Sequence, residues 1–181
     1  MALIHISFSR LFLPIIVLVL AINGKAAHAA VESHFCAQAA PGEEKILCNT
    51  LVNGAPTWEA AFTNVVQEYN KQVAPIKPLI TNLAKTLPAS LQSESKDSIA
   101  QSCNESLGLF NDSIANILKS LKTGNKLLSL DSEIAASFSG LSDCTDGLQE
   151  FNINSAQIQN IVDLARKYAD ISAVVAHTKP N

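Results

Sequence analysis

Apolar residues recur at intervals of three and four along most of the chain, the mark of amphipathic helices. In a first segment, Thr57 to Leu87, the stripe is Trp58, Phe62, Val65, Tyr69, Val73, Ile76, Ile80, Leu83 and Leu87. Thr57 suits the N-cap position. Pro75 and Pro78 lie inside the pattern. Each lacks an N–H and crowds the turn before it, so a kink or break is expected near Ala74. A second segment, Leu91 to Leu121, carries Ile99, Cys103, Leu107, Phe110, Ile114, Ile117 and Leu121 at near-heptad spacing. A third runs from Asp131, an N-cap residue type, to Phe151, with Ile134, Phe138, Leu141, Cys144, Leu148 and Phe151. A fourth runs from Ser155 to about Ala176, with Ile158, Ile161, Ala165, Tyr168, Ser172 and Val175. The connections are short, which favours antiparallel neighbours. No alternating run with hairpin turns suggests a strand. The expected fold class is all-α, an up-down-up-down four-helix bundle.

The N-terminal part differs. Residues 31–54 are short and broken, with turn signals at Pro41-Gly42 and Asn53-Gly54. Two short helical pieces joined by the first turn form a hairpin too small to bury much alone. Upstream, Arg10 precedes "LFLPIIVLVLAI", and small residues ending in Ala27-His28-Ala29 follow. This is the order of a secretory signal peptide, with cleavage expected after Ala29. The apolar run falls short of the roughly 20 residues that span a bilayer. No later segment is longer, so no membrane partner is expected. The polar end "VVAHTKPN" resembles neither a lipid-anchor signal nor an endoplasmic-reticulum retention signal. The expected organisation is a signal peptide (1–29) and one domain (30–181), divided into the hairpin (30–54) and the bundle (55–181). At about 150 residues the mature chain can bury an ordinary core. The expected location is extracellular.

That compartment changes the reading of the cysteines. Cys36, Cys48, Cys103 and Cys144 are an even set in an oxidising environment, which suggests two disulfides. Four cysteines allow three pairings; proximity favours Cys36–Cys48, stapling the hairpin, and Cys103–Cys144. The latter two lie on the buried stripes of consecutive antiparallel helices, where a bridge would clamp one to the other. In the loop-entropy model a loop of about a dozen residues contributes roughly 3 kcal/mol and one of about 40 roughly 4. The spacings lack the close ligand pairs of zinc sites, so no metal is expected.

The whole chain has 13 basic and 16 acidic side chains, a formal charge of −3. Removing residues 1–29 takes away Arg10 and Lys25, leaving 11 against 16 and a charge of −5. Nucleic-acid binders need a basic face, so that class of partner is set aside. A mildly acidic surface suits a basic protein partner.

Catalytic chemistry finds no constellation. The mature chain has His34, expected at the surface, and His177, expected in a fraying tail. Neither has a serine and aspartate placed as a triad. No glycine-rich phosphate loop and no HExxH motif occur. Asp143 and Asp146 read as solvated helix acids without the opposing partner that acid–base work requires. Trp58 reads as core or cap of the bundle rather than a sugar platform. The expectation is a non-enzyme with no cofactor.

"SCNESLGLFNDSIANIL" followed by "IAASFSGLSDCTDGLQEF" resembles the plant invertase and pectin methylesterase inhibitor family. Ala135-Ala136-Ser137-Phe138, Asp143-Cys144 and Asp146-Gly147-Leu148 occupy the places of that family's small-rich, Thr-Cys and Asp-Gly-Phe runs. Cys36 and Cys48 fit its N-terminal hairpin. The resemblance covers essentially the whole mature chain and implies the same disulfide pairing that proximity favours. It implies an inhibitor of the cell wall or vacuole that binds a carbohydrate-active enzyme one to one. One branch covers the substrate cleft of pectin methylesterase with its bundle. The other inserts a Pro-Lys-Phe loop into acid invertase. Here Gly124-Asn125-Lys126-Leu127 stands at that loop. Lys126 is kept, the proline is absent and Leu127 replaces the aromatic.

Two N-glycosylation sequons, Asn104-Glu105-Ser106 and Asn111-Asp112-Ser113, are seven positions apart and share one face of the second helix. Glycans there would exclude that flank from enzyme contact and leave other helices or the loop around Thr123–Ser129. A secreted helical signalling protein, or a carrier of an apolar molecule with a cavity in its core, is the other class that this pattern fits.

Overall fold

A computed structural model describes residues 33–123 and 130–180. The expected leader, and Gly124, Asn125, Lys126 and Leu127, lie outside the described residues.

Ser33 caps a 3₁₀ turn, His34–Cys36, by accepting from the Phe35 N–H at 3.3 Å. Gly42 then turns the chain at φ 99°, a left-handed value that favours glycine. Helix α1, Glu43–Val52, follows. Cys36 is bonded to Cys48 with a Cα–Cα distance of 5.9 Å, and Asn49 Oδ1 accepts the Ser33 N–H at 2.8 Å. The hairpin packs on two bundle helices, α2 (Trp58–Val73) and α7 (Ala156–His177).

Thr57 caps α2, its hydroxyl accepting the Ala60 N–H at 3.2 Å. The helix stops at Ala74, where Pro75 follows, as its missing N–H requires. The stripe continues through α3 (Ile76–Thr81) and α4 (Leu83–Thr86). The second break, at Asn82, was not expected from the prolines. There the Asn82 side chain donates to the Pro78 carbonyl at 3.0 Å, competing with the helix for it.

Helix α5 spans Ser93–Thr123 and α6 spans Leu130–Glu150. Asn152, at φ 56°, ends α6. Its N–H donates to the Gln149 carbonyl at 2.8 Å and the Ile153 N–H to the Leu148 carbonyl at 2.9 Å, a Schellman closure. Phe151, expected on the buried stripe, therefore falls beyond the helix and is 43% exposed. In the bundle α2 neighbours α5 and α7, and α6 neighbours α5 and α7. That is an up-down-up-down four-helix bundle with a disulfide-stapled hairpin beside it.

One layer joins all four helices. Tyr69 of α2 lies edge-on to Phe110 of α5, centroids 5.2 Å apart, and stacks at 6.2 Å on Tyr168 of α7. Its hydroxyl is hydrogen-bonded with Ser137 of α6 at 3.3 Å. Burial pushes the Tyr69 phenol up to about 12. The layer packs three aromatic rings between the helices.

Helices α5 and α6 are drawn together more tightly than the others. Cys103 and Cys144 are bonded with their Cα atoms 4.5 Å apart, near the short limit for a disulfide. Small residues are buried on both helices: Ser106 and Ser113 on α5, Ser137 and Gly140 on α6. A Cβ added to Gly140 would lie 2.9 Å from the Ser106 carbonyl oxygen and 3.2 Å from Leu109 Cβ. Gly140→Ala is expected to destabilise by about 1–3 kcal/mol, the usual cost of overpacking. A Cβ at Gly108 would meet nothing within 4 Å, so Gly108→Ala is expected to stabilise by about 0.5–1 kcal/mol through helix propensity. Urea unfolding of the two variants checks the opposite signs.

Candidate functional site

The seam between α5 and α6 shapes the surface above it. The disulfide and Gly140 bring α5 and α6 together, so their outer sides adjoin. Leu109 sits there beside Gly140 and is 55% exposed. Glu105 and Asp112 are exposed within a turn of Leu109, and Asp143 and Asp146 are exposed on α6. Asn116 Nδ2 donates to Glu133 Oε1 at 3.4 Å, a further link across the pair.

Charge is segregated onto this pair. Helices α5 and α6 carry nine acidic side chains against three lysines. The rest of the described residues carry six acidic and seven basic ones. The net negative charge of the described chain therefore resides on the clamped helices. Sequence reasoning took Asp143 and Asp146 as solvated acids, and they are exposed. It passed over Leu109, whose signal was an apolar residue off the buried stripe.

Asn104 and Asn111 are exposed on α5. Asn104 Nδ2 donates to the Ala100 carbonyl at 2.8 Å. Asn111 rims a groove of about 280 Å³ with Asn70, Val73, Lys77 and Leu107, on the side of α5 facing α2 and α3. Glycans on these residues would leave the outer α5–α6 face clear.

His34 is exposed. His177 is not in a fraying tail: it is the last residue of α7, and its Nε2 lies 3.4 Å from Asp131 Oδ1. Trp58 is buried and holds that end of the bundle. Its Nε1–H donates to the Val175 carbonyl at 2.7 Å, and Lys179 lies 5.1 Å over its ring. The C-terminus is thus tied down by a side chain from the first residue of α2.

A cleft of about 460 Å³ follows the end of α6, lined by Gln149, Asn152, Asn154, Ser155 and Gln159 among others. None of its lining side chains is ionisable, so it has no acid or base to offer a substrate. Among the described residues, no group of three or more His, Cys, Asp or Glu is placed to hold a metal. Among them too, no helix is long and apolar enough to cross a membrane.

A solved structure of similar fold is a mutant form of a pectin methylesterase inhibitor from Arabidopsis. It aligns with a TM-score of 0.65 over 83% of this chain and 97% of that one, at 13% identity. The chain shares that inhibitor's fold. No family model matches the sequence, and no curated protein matches it.

Titrating groups with displaced pKa values cluster on the opposite side, where α1, α2 and α7 meet. Hydrogen bonds from Gln72 and Lys71 hold the Glu68 carboxyl below its ordinary range. Partial burial raises the Asp170 carboxyl, repulsion from Glu44 adds to this, and Arg166 offsets part of it. A raised acid pKa means that the folded state holds the proton more tightly than the unfolded chain. Asp170 therefore costs stability as pH rises from the unfolded carboxyl's pKa through its own folded value. Asp170→Asn is expected to stabilise at neutral pH, by less than about 1 kcal/mol because solvent screens the site. The gain should vanish at acid pH, below the ordinary carboxyl range, which unfolding curves at both pH values check.

Proposed function

We propose that this chain is a secreted protein inhibitor that binds pectin methylesterase one to one and covers its substrate cleft. In this reading the outer α5–α6 face makes the contact. Support for the target comes from the fold shared with a pectin methylesterase inhibitor, together with the sequence resemblance around Cys103 and Cys144. The segregation of acidic charge onto these two helices, with Glu105, Asp112 and Asp143 exposed, supports the choice of surface.

The mechanism is occlusion. The clamped pair is rigid before binding, so little ordering entropy is lost on association. The carboxylates steer a basic enzyme surface towards the face, and Leu109 supplies an apolar anchor near its middle. The chain itself performs no bond chemistry. The leader directs it to the oxidising compartment where both bridges form, and from there to the cell wall, with the vacuole as the other destination.

Acid invertase is the second target, through Gly124, Asn125, Lys126 and Leu127, and what favours it is the retained Lys126. The disulfide-bonded mature chain, titrated into each enzyme at mildly acidic pH, separates the two. Stoichiometric loss of demethylation alone is expected. Loss of sucrose hydrolysis alone would move the site to Lys126, and loss of neither would favour a signalling or carrier role.

The face has its own test. Leu109→Asp and Asp143→Lys should each weaken inhibition by about tenfold or more, roughly 1.4 kcal/mol, with unchanged thermal unfolding. Asp143→Lys should act mainly on the association rate, and its effect should shrink with added salt. Wild-type inhibition by both variants would remove this face from the contact.

A further inference from the structure

The sequon asparagines and the sequon serines lie on different sides of α5. Asn104 and Asn111 are exposed, and Asn111 lies on the side of α5 towards α2 and α3. Ser106 and Ser113 are 4% and 6% exposed, on the buried side of α5. The Ser106 carbonyl oxygen is the atom that a Cβ at Gly140 would strike. A glycosyl transferase must engage the asparagine amide and the serine hydroxyl of one sequon together. In the folded bundle the hydroxyls are inside, so transfer must precede the packing of α5 into the bundle, of which its closure on α6 is part. Cys103 adjoins Asn104, and its bond to Cys144 closes the α5–α6 seam.

We propose that Asn104 and Asn111 are N-glycan acceptors whose occupancy is set by a race between glycan transfer and closure of the Cys103–Cys144 bridge. The donor is a lipid-diphosphate-linked oligosaccharide. A bond forms from asparagine Nδ2 to the anomeric carbon, the anomeric C–O bond breaks, and the lipid diphosphate leaves as the amide loses a proton. Bridge closure takes seconds or longer in the secretory compartment, which gives transfer its window. The inference rests on the secretion half of the proposed function and is independent of the target enzyme.

The full chain is expressed in an insect-cell secretory line, and glycan occupancy is read by mass spectrometry on the peptide 97–119, which carries both sequons. Occupancy is measured on intracellular and secreted chains, because a bridge-free variant can be retained. Wild type should be partly occupied. Cys144→Ser should raise occupancy at both asparagines, by about twofold or more if closure is what ends the window. A brief dithiothreitol pulse on wild-type cells should do the same without any substitution. Full occupancy in wild type, equal occupancy in wild type and variant, or no glycan on either secreted chain overturns the race. A chain left in the cytosol with its leader uncut overturns the secretion reading instead, and leader retention distinguishes that failure.

Discussion

The approach of α5 to α6 is the constraint on which the rest of the bundle depends. With Cys103 and Cys144 joined at a Cα–Cα distance of 4.5 Å, a residue larger than glycine does not fit at position 140, where an added Cβ would lie 2.9 Å from the Ser106 carbonyl oxygen. The bridge also limits the unfolded chain, by roughly 4 kcal/mol of loop entropy for a loop of about 40 residues. The remaining two helices are held differently. Helices α2 and α7 meet through large side chains, with Trp58 reaching a backbone carbonyl of α7 and Tyr69 stacking on Tyr168. One half of the bundle is covalently clamped and finely fitted. The other is filled by aromatic bulk.

This division has a functional consequence. In the proposed reading, the disulfide-clamped pair is the part of the bundle that meets the enzyme. Its charge is consistent with that reading, since the two helices carry nine acidic side chains against three lysines. Asn111 lies on the other flank of α5, at the groove towards α2 and α3.

Much of the fold was legible from spacing. The stripe Trp58 to Leu87 is buried throughout, and the break after Ala74 follows from Pro75. What spacing missed has local causes. Asn82 breaks the same segment by a side-chain hydrogen bond that no periodicity reports. Asn152 closes α6 in a left-handed conformation, which leaves Phe151 outside the core. On α6, Ser137 and Gly140 are buried where the stripe named Phe138, which is half-buried under Arg166 at 5.0 Å. Polar and small residues go unseen in a hydrophobic pattern, yet Gly140 marks a close approach of α6 to α5. The candidate face was less legible. Leu109 and its neighbouring acids are separated in sequence from Asp143, and they gather only when α5 and α6 are paired.

The most direct measurement is a double-mutant cycle between the bridge and the seam. Gly140→Ala would be made in the disulfide-bonded chain and in Cys103→Ala/Cys144→Ala, with sulfate present to keep the bridge-free form folded. Unfolding free energies of the four proteins give the coupling. If the bridge sets the helix separation, its removal lets the helices part by the few tenths of an ångström that a methyl group needs. The cost of Gly140→Ala should then fall to less than about half its value in the bridged chain. An equal cost in both backgrounds would contradict the account and assign the close approach to packing alone.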